Sequence, residues 1–428
     1  MIPLGILSIG HELLTGSVSD TNASHVCKHL LPYGFQATAV RLVGDPVEAI
    51  VEGLKSFDPS IKLIFCSGGL GPTRDDCTRR ALSAWSQQPL VEHPGAKEMV
   101  AKTLEAIGLT MPMESLSQFP QGAEPLPNAV GFSPGVWMTV GDRLVVALPG
   151  IPTELAVMLE REAIPLVCRH FSIRKSCAMR DLNVIGLAES QLDEMLGEHG
   201  SATGNPRVGL AVKQGLVKIH MLAEADNEDD AQGLLLDKER VLREILGAHI
   251  FGVNEDSIQQ VVGAIMLETG RTVTAAESCT GGLVANWLTD TPGSSSYFPR
   301  SFVSYSGEAK IQDLGVDPSL IETHGEVSEP VAKAMAEGAR KKASTDFAIG
   351  ITGIAGPTGG SKEKPVGLVH IAIAGPERTA HKRHILTGNR IDIKIKASRA
   401  ALDMLRYELI RLDAPHLLPE EESETESF

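Results

Sequence analysis

The sequence predicts an α/β protein of three successive units: an N-terminal doubly wound, mostly parallel sheet, a small α+β unit, and a C-terminal α/β unit. Three observations carry this. The 428 residues exceed what one ordinary hydrophobic core accommodates. Short apolar runs alternate with helical stretches from the N-terminus onward. The character of the chain then changes near residue 170 and again near residue 256.

In the first unit, residues 1–168, strands are predicted at 2–9, 36–43, 63–67 and 145–148. Helices are predicted at 23–31, at 46–55 with Pro46 in its first turn, from about Asp76, and from about Thr153. Strand–helix alternation at this spacing implies parallel strands joined by crossover helices. Ligands of such sheets bind beyond the carboxyl ends of the strands, where residues 10–12 and 68–76 would lie. The second unit, 170–252, reads as strands at 181–185 and 216–222 and helices at 189–196 and 229–246. An acidic stretch at 223–230 reads as a solvated turn. No catalytic constellation is legible there, which suits a connector.

The third unit, 256–412, opens with an amphipathic helix at 258–269 closed by Gly270. Strands follow at 272–276, 302–306, 346–352, 366–374 and 381–386. Ser328, Glu329 and Pro330 start a helix, residues 353–365 form a Gly/Pro-rich loop, and a long helix at 392–412 closes the unit. The acidic segment 415–428 is expected to be disordered.

Composition excludes several classes. Hydrophobic residues at 43% and charged residues at 22% are ordinary for a soluble globular protein. A net charge of -15 and only 4% aromatics argue against nucleic acid as a partner. Six dispersed cysteines with no CxxC pair suit a reduced, cytoplasmic protein without structural zinc. The N-terminus lacks signal-peptide features, and no apolar stretch is long enough to span a bilayer, so no membrane partner is expected.

Chemistry concentrates at the predicted strand ends of the third unit. Glu277, Ser278, Cys279, Thr280, Gly281 and Gly282 form a strand end, a serine and a glycine pair that opens a helix. That arrangement aims backbone N–H groups at a bound oxyanion or phosphate. A helix-capping serine fits the same local pattern equally well. A serine nucleophile requires a base. Of the candidates, Lys310 suits best, because desolvation lowers a lysine towards a pKa of ~7–8. The alternative for Lys310 is a solvated helix lysine. Tyr305, at a strand end, is placed to relay a proton or to orient Lys310. Cys279, at a helix start, is a rival nucleophile.

The segments AESCTGG, FVSYSGEAK, GEVSEPV, ITGIAGPTGGSKEKPVG and GNR, in this order, resemble the C-terminal domain of the CinA family, the nicotinamide-mononucleotide amidohydrolases. The resemblance implies Ser278, Tyr305 and Lys310 as catalytic residues. It implies substrate contacts from Thr280, Gly281, Gly282, Thr352, Gly353 and Arg390, with Arg390 on the substrate phosphate. Ser278 would attack the carboxamide carbon, ammonia would leave, and water would release nicotinic acid mononucleotide, without a cofactor. Gly307 departs from the family, which commonly has Asn there.

SIGHELLTG, TNASHV, the SGGLGPTRDD run at 67–76, VGD and LPGIPTEL resemble the MoaB/MogA-like molybdopterin-binding domain of CinA proteins. Residues 170–250 resemble their KH-like middle domain. For the first unit the resemblance implies a divalent-metal-dependent ADP-ribose pyrophosphatase; from the residues themselves, the glycines let a phosphate approach and Asp75 or Asp76 could hold a Mg2+ that bridges it. By pattern alone, the same acids suit a helix start. His11 and the stretch 111–119 depart from the family and remove partners for a diphosphate. A third reading is a non-catalytic binding protein linked to competence or DNA damage. A homodimer is the expected assembly.

Overall fold

The computed structural model describes residues 1–109, 114–173, 175–213 and 216–413. The expectations for residues 111–113 and for the acidic segment 415–428 fall outside the described residues. The chain divides into two compact units. One comprises Met1–Ala178 with Ala223–Gln232, and the other Met179–Leu222 with Gly233–Phe428.

The first unit is an α/β sheet of six strands: β1 (Ile2–Ile9), β2 (Phe35–Val43), β3 (Leu63–Ser67), β4 (Glu124–Leu126), β5 (Gly135–Val140) and β6 (Arg143–Leu148). Their spatial order is β2-β1-β3-β6-β5-β4. The first four are parallel, and β5 and β4 add on antiparallel. Both faces are covered. Ile64, Cys66, Val145 and Ala147 pack into one core, and Leu63, Phe65, Leu144 and Val146 into the other. That two-sided burial explains why β1, β3 and β6 read as continuous apolar runs. The segments 124–126 and 135–140 were not anticipated, because an antiparallel hairpin edge carries no long apolar run.

The second unit holds two sheets. β7 (Ser176–Val184), β8 (Arg207–Lys213), β9 (Leu216–Ala225) and β10 (Ile250–Val253) form a four-stranded sheet of order β8-β9-β7-β10. The acidic turn is shorter than expected, because β9 runs to Ala225 and a helix starts at Glu228. The larger sheet contains β11 (Val273–Glu277), β12 (Ser301–Val303), β13 (Phe347–Gly353), β14 (Leu368–Ala374) and β15 (Thr379–Ile385), in the order β12-β11-β13-β14-β15. β12, β11 and β13 are mutually parallel, while β14 and β15 run antiparallel.

The two faces of this sheet differ in bulk. Val273, Phe347, Ile349, Ile351, Ile371 and Ile373 pack beneath the helices Ile258–Thr269 and Arg390–Asp413. The other face presents Ala276, Ala348, Ala372 and Ala374 to the helix Glu329–Ala343. Small residues allow that helix to lie close, and a Cβ on Gly350 would meet the carbonyl oxygen of Ala332 at 2.4 Å. The parallel register brings the carboxyl ends of β12, β11 and β13 side by side. β12 is only three residues long, so residues 304–306 are an irregular lead into the helix Gly307–Leu314. Among the described residues, no helix is long and apolar enough to cross a membrane.

Candidate active site

Ser278 follows β11 directly, and its N–H donates to the carbonyl of Ile351 on β13, which fixes the serine at the sheet's carboxyl edge. The chain then turns through Gly281 and Gly282, both at positive φ (62° and 93°), which glycine adopts without steric cost. The helix Leu283–Thr289 begins there.

Ser278 does not cap this helix. The fully buried Glu277 does, its carboxylate accepting from the N–H groups of Gly282, Val284 and Ala285 at 2.8–3.1 Å. The donors expected to face a ligand are therefore largely taken by Glu277. The N–H groups of Cys279 and Thr280 have no acceptor among the described residues and are placed to receive an oxyanion. Thr280 is itself fully buried, and its hydroxyl has no protein partner. Cys279 is an unsuitable nucleophile: burial pushes its thiol up to about 12.

Lys310 lies on the first turns of the helix Gly307–Leu314, capped by the Ser306 hydroxyl. The position favours a solvated side chain, yet Lys310 is fully buried. Its Nζ donates to Ser278 Oγ at 3.3 Å, to the Tyr305 carbonyl at 3.0 Å and to Glu326 Oε2 at 3.2 Å. Those three acceptors use all three ammonium hydrogens. Ser278 Oγ also lies 3.4 Å from the Tyr305 carbonyl.

Tyr305 contacts the lysine through its main-chain carbonyl alone. Its phenol points elsewhere and accepts from Arg390 Nη2 at 2.9 Å, while Arg390 Nη1 donates to the Gly356 carbonyl at 2.6 Å. Arg390 opens the long C-terminal helix, where the Asn389 side chain accepts from the N–H groups of Ile391 and Asp392. The helix N-terminus and the guanidinium together favour an anion.

Glu326 lies in the GEVSEPV segment but has no role assigned there; it sits in a connection before a helix, and only the tertiary structure brings it to Lys310. Its segment is held at several points. Thr352 Oγ1 donates to the Glu326 carbonyl at 2.8 Å, and the Ser328 hydroxyl donates to the Gly325 carbonyl at 2.9 Å. Lys364, from the loop after β13, donates to the carbonyls of His324 and Val327. Thr352, expected to contact substrate, is thus a fully buried support for Glu326. Gly353 ends β13, and a Cβ there would meet the Leu368 carbonyl at 2.8 Å. Lys394 was also missed: a methyl on Gly281 would lie 3.6 Å from its Nζ, adding a second cation near Arg390. An acidic residue in a loop and a lysine inside a long helix carry no local pattern that could have found them.

In the first unit, a cleft of about 600 Å³ lies at the carboxyl ends of β1, β3 and β6, as the sheet topology requires. Glu12, Asp45, Asp75, Asp76 and Glu154 line it along with His11 and the glycines 68, 69 and 71. Asn22 ties its base together, donating to Ser67 Oγ and to the Gly150 carbonyl, both at 2.8 Å. Asp75 and Asp76 fold inward on the Thr73 hydroxyl, and this contact holds the Asp75 carboxyl below its ordinary range. The helix expected from Asp76 begins at Thr78. Among the described residues, neither Asp75 nor Asp76 belongs to a cluster of three convergent metal ligands. Nor does the cleft offer a free cation for a diphosphate. Arg79 is buried and spent on the carbonyls of Leu70 and Pro134, and burial lowers it to about 10.

Comparison with known proteins then divides the chain into three matched regions. Residues 5–169 match the model described as a probable molybdopterin binding domain, 179–252 the damage-inducible protein CinA KH domain, and 255–409 the CinA C-terminal domain. A competence-damage inducible protein of Caldanaerobacter subterraneus is 38% identical over 405 residues, covering 94% of this chain and 97% of the relative. A CinA-like protein of Geotalea uraniireducens is 36% identical over 411 residues, covering 96% of this chain and 98% of the relative. The crystal structure of a competence/damage inducible protein from Agrobacterium tumefaciens is 39% identical, with a TM-score of 0.34; it covers 36% of this chain and 96% of that one.

Proposed function

The chain belongs to the CinA family, and from that premise we propose that its C-terminal domain hydrolyses the carboxamide of a small anionic nucleotide, nicotinamide mononucleotide. The observation that carries this is the buried Lys310 Nζ at 3.3 Å from Ser278 Oγ, with the Glu326 carboxylate on the lysine's other side.

As an ammonium, Lys310 cannot accept a proton. Glu326 Oε2 takes one of its three hydrogens, and the neutral amine then accepts the proton of Ser278 Oγ as that oxygen attacks the carboxamide carbon. The new C–O bond forms while the carbonyl oxygen becomes an oxyanion facing the N–H groups of Cys279 and Thr280. Lys310 returns the proton to the amide nitrogen, the C–N bond breaks and ammonia leaves. Water, deprotonated by Lys310, then adds to the acyl carbon, and Lys310 passes that proton to Ser278 Oγ as the acyl C–O bond breaks and nicotinic acid mononucleotide leaves; Glu326 then returns its proton to Lys310. Arg390 and Lys394 hold the phosphate, and the Tyr305 phenol stays fixed against Arg390. No metal takes part.

The test is ammonia release from nicotinamide mononucleotide with EDTA present. Wild type turns over, and Ser278→Ala and Lys310→Met are folded and inactive. Absence of ammonia from wild type, or full activity in either variant, overturns the reading.

A second reading rests on the acidic cleft of the first unit. Asp75 and Asp76 would hold Mg2+ only with oxygens of a substrate diphosphate completing its shell. Mg2+-dependent hydrolysis of ADP-ribose that is lost in Asp76→Asn and retained in Ser278→Ala tests it; retention in Asp76→Asn excludes it.

A further inference from the structure

We propose that His25, His29 and Glu160, in the first unit, form a binding site for a zinc-class divalent ion, separate from both sites above. His25 and His29 lie four residues apart on the helix Thr21–Leu30 and so share one face. Their rings lie with centroids 3.9 Å apart, tilted by 31°, and Glu160 joins them from the segment Leu159–Ala163. One ligand atom from each of the three lies within 4.8 Å of the others. Tetrahedral zinc with bonds of about 2.0–2.1 Å needs ligand atoms roughly 3.3 Å apart, so modest side-chain rotation closes the set.

The hydrogen bonds argue for a missing cation. His29 Nδ1 lies 2.8 Å from the His25 carbonyl. A carbonyl only accepts, so Nδ1 carries the proton and the neutral ring presents a lone pair at Nε2. That Nε2 lies 3.3 Å from Glu160 Oε1. A lone pair facing a carboxylate oxygen requires a cation between them, either a proton or a metal. The Nδ1–H to carbonyl bond is also the arrangement that fixes the tautomer of metal-bound histidines. His25 Nε2 is buried and has no hydrogen-bond partner among the described residues.

The backbone at Glu160 is itself unusual. Leu159–Ala163 is a π turn, with the Ile164 N–H donating to the Leu159 carbonyl, and such turns are frequent at functional sites. Two imidazoles and one carboxylate with an open fourth position match zinc better than the oxygen-seeking Mg2+. A bound ion would tie the helix that carries Asn22, and hence the base of the acidic cleft, to the segment 159–163.

The experiment is Zn2+ titration by calorimetry of the full-length protein after chelator dialysis, with thermal melts of each variant. All proteins carry Cys27→Ser, which removes the one thiol on this helix. The expected result is one equivalent of Zn2+ whose affinity falls at least about tenfold in His25→Ala, in His29→Ala and in Glu160→Gln, and is unchanged in Glu162→Gln. Co2+ in place of zinc should give the intense visible absorption of a tetrahedral site, absent in His29→Ala. Each variant must melt like the Cys27→Ser parent in EDTA, so that lost binding cannot be lost folding. No zinc bound, or an affinity in His25→Ala and His29→Ala unchanged from the Cys27→Ser parent, overturns the proposal and leaves a proton as the cation between His29 and Glu160.

Discussion

Gly307 makes room for Glu326: a Cβ at position 307 would lie 3.0 Å from Glu326 Oε1. Gly307, one of the positions expected from the resemblance to depart from the family, is therefore the one against which the lysine's carboxylate partner rests. A larger side chain displaces the tip of Glu326, which is flexible and half exposed, without disturbing the backbone. Gly307→Asn should fold normally and alter amidase turnover through the Lys310–Glu326 pair. Glu326→Gln should lower kcat by about 10²-fold with little change in KM. Combining the two substitutions should give no further loss. Steady-state kinetics of the three variants checks this, and strictly additive effects would separate Gly307 from Glu326.

Ser278 and Cys279 are neighbours with opposite expected outcomes. Ser278→Ala should reduce ammonia release by at least about 10³-fold. Cys279→Ala should keep most of the activity, because the thiol is buried and pushed up to about 12. An inactive but folded Cys279→Ala would reverse the assignment of the nucleophile.

Glu277 is a structural carboxylate inside the active-site turn. Glu277→Ala leaves three N–H groups at the start of the helix Leu283–Thr289, that of Val284 buried and the other two partly so, without their acceptor. Hydrogen bonds to a charged acceptor contribute about 1.5–3 kcal/mol, and a buried unsatisfied donor costs a similar amount. The C-terminal domain should melt several degrees lower, and differential scanning calorimetry measures the shift.

Acid should weaken the same domain through its histidines. Burial lowers His370 and His384 to about 4, assisted by His381 and Lys382 respectively. His370 Nδ1 and His381 Nε2 meet at 3.0 Å, and the His384 Nε2 atom is buried without a partner. Both groups bind protons more readily unfolded, near 6.5, than folded. Their contribution is complete above pH 6.5 and is lost as pH falls towards 4. The melting temperature should decline across that window, and His384→Phe should flatten the decline.

Arg390→Ala should separate binding from chemistry. The guanidinium touches the Tyr305 phenol and the Gly356 carbonyl but not Ser278 or Lys310. KM for the phosphorylated substrate should rise about tenfold or more, with a smaller change in kcat. Removing the phosphate from the substrate should abolish the difference between variant and wild type. An unchanged KM would place the phosphate elsewhere.

Local pattern was enough for much of the architecture. The spans 2–9, 63–67, 189–196 and 258–269 are the observed elements, and Gly270 closes its helix at φ 65°. A strand buried on both faces and an amphipathic helix each impose a period that the sequence carries directly. The glycine turn after Ser278, and the candidates Ser278, Lys310 and Arg390, were likewise visible as residue types at strand and helix ends.

Only the tertiary structure decided what those residues do. Lys310 reads as a solvated helix residue, and it is buried because parallel β11 and β12 place residues 278 and 305 beside one another. Glu326 and Lys394 come from a loop and a helix remote in sequence, and Glu277 rather than Ser278 caps the helix. Periodicity records which face of an element is apolar. It does not record which polar group from another element arrives to satisfy a buried donor, and the candidate site is built from such arrivals.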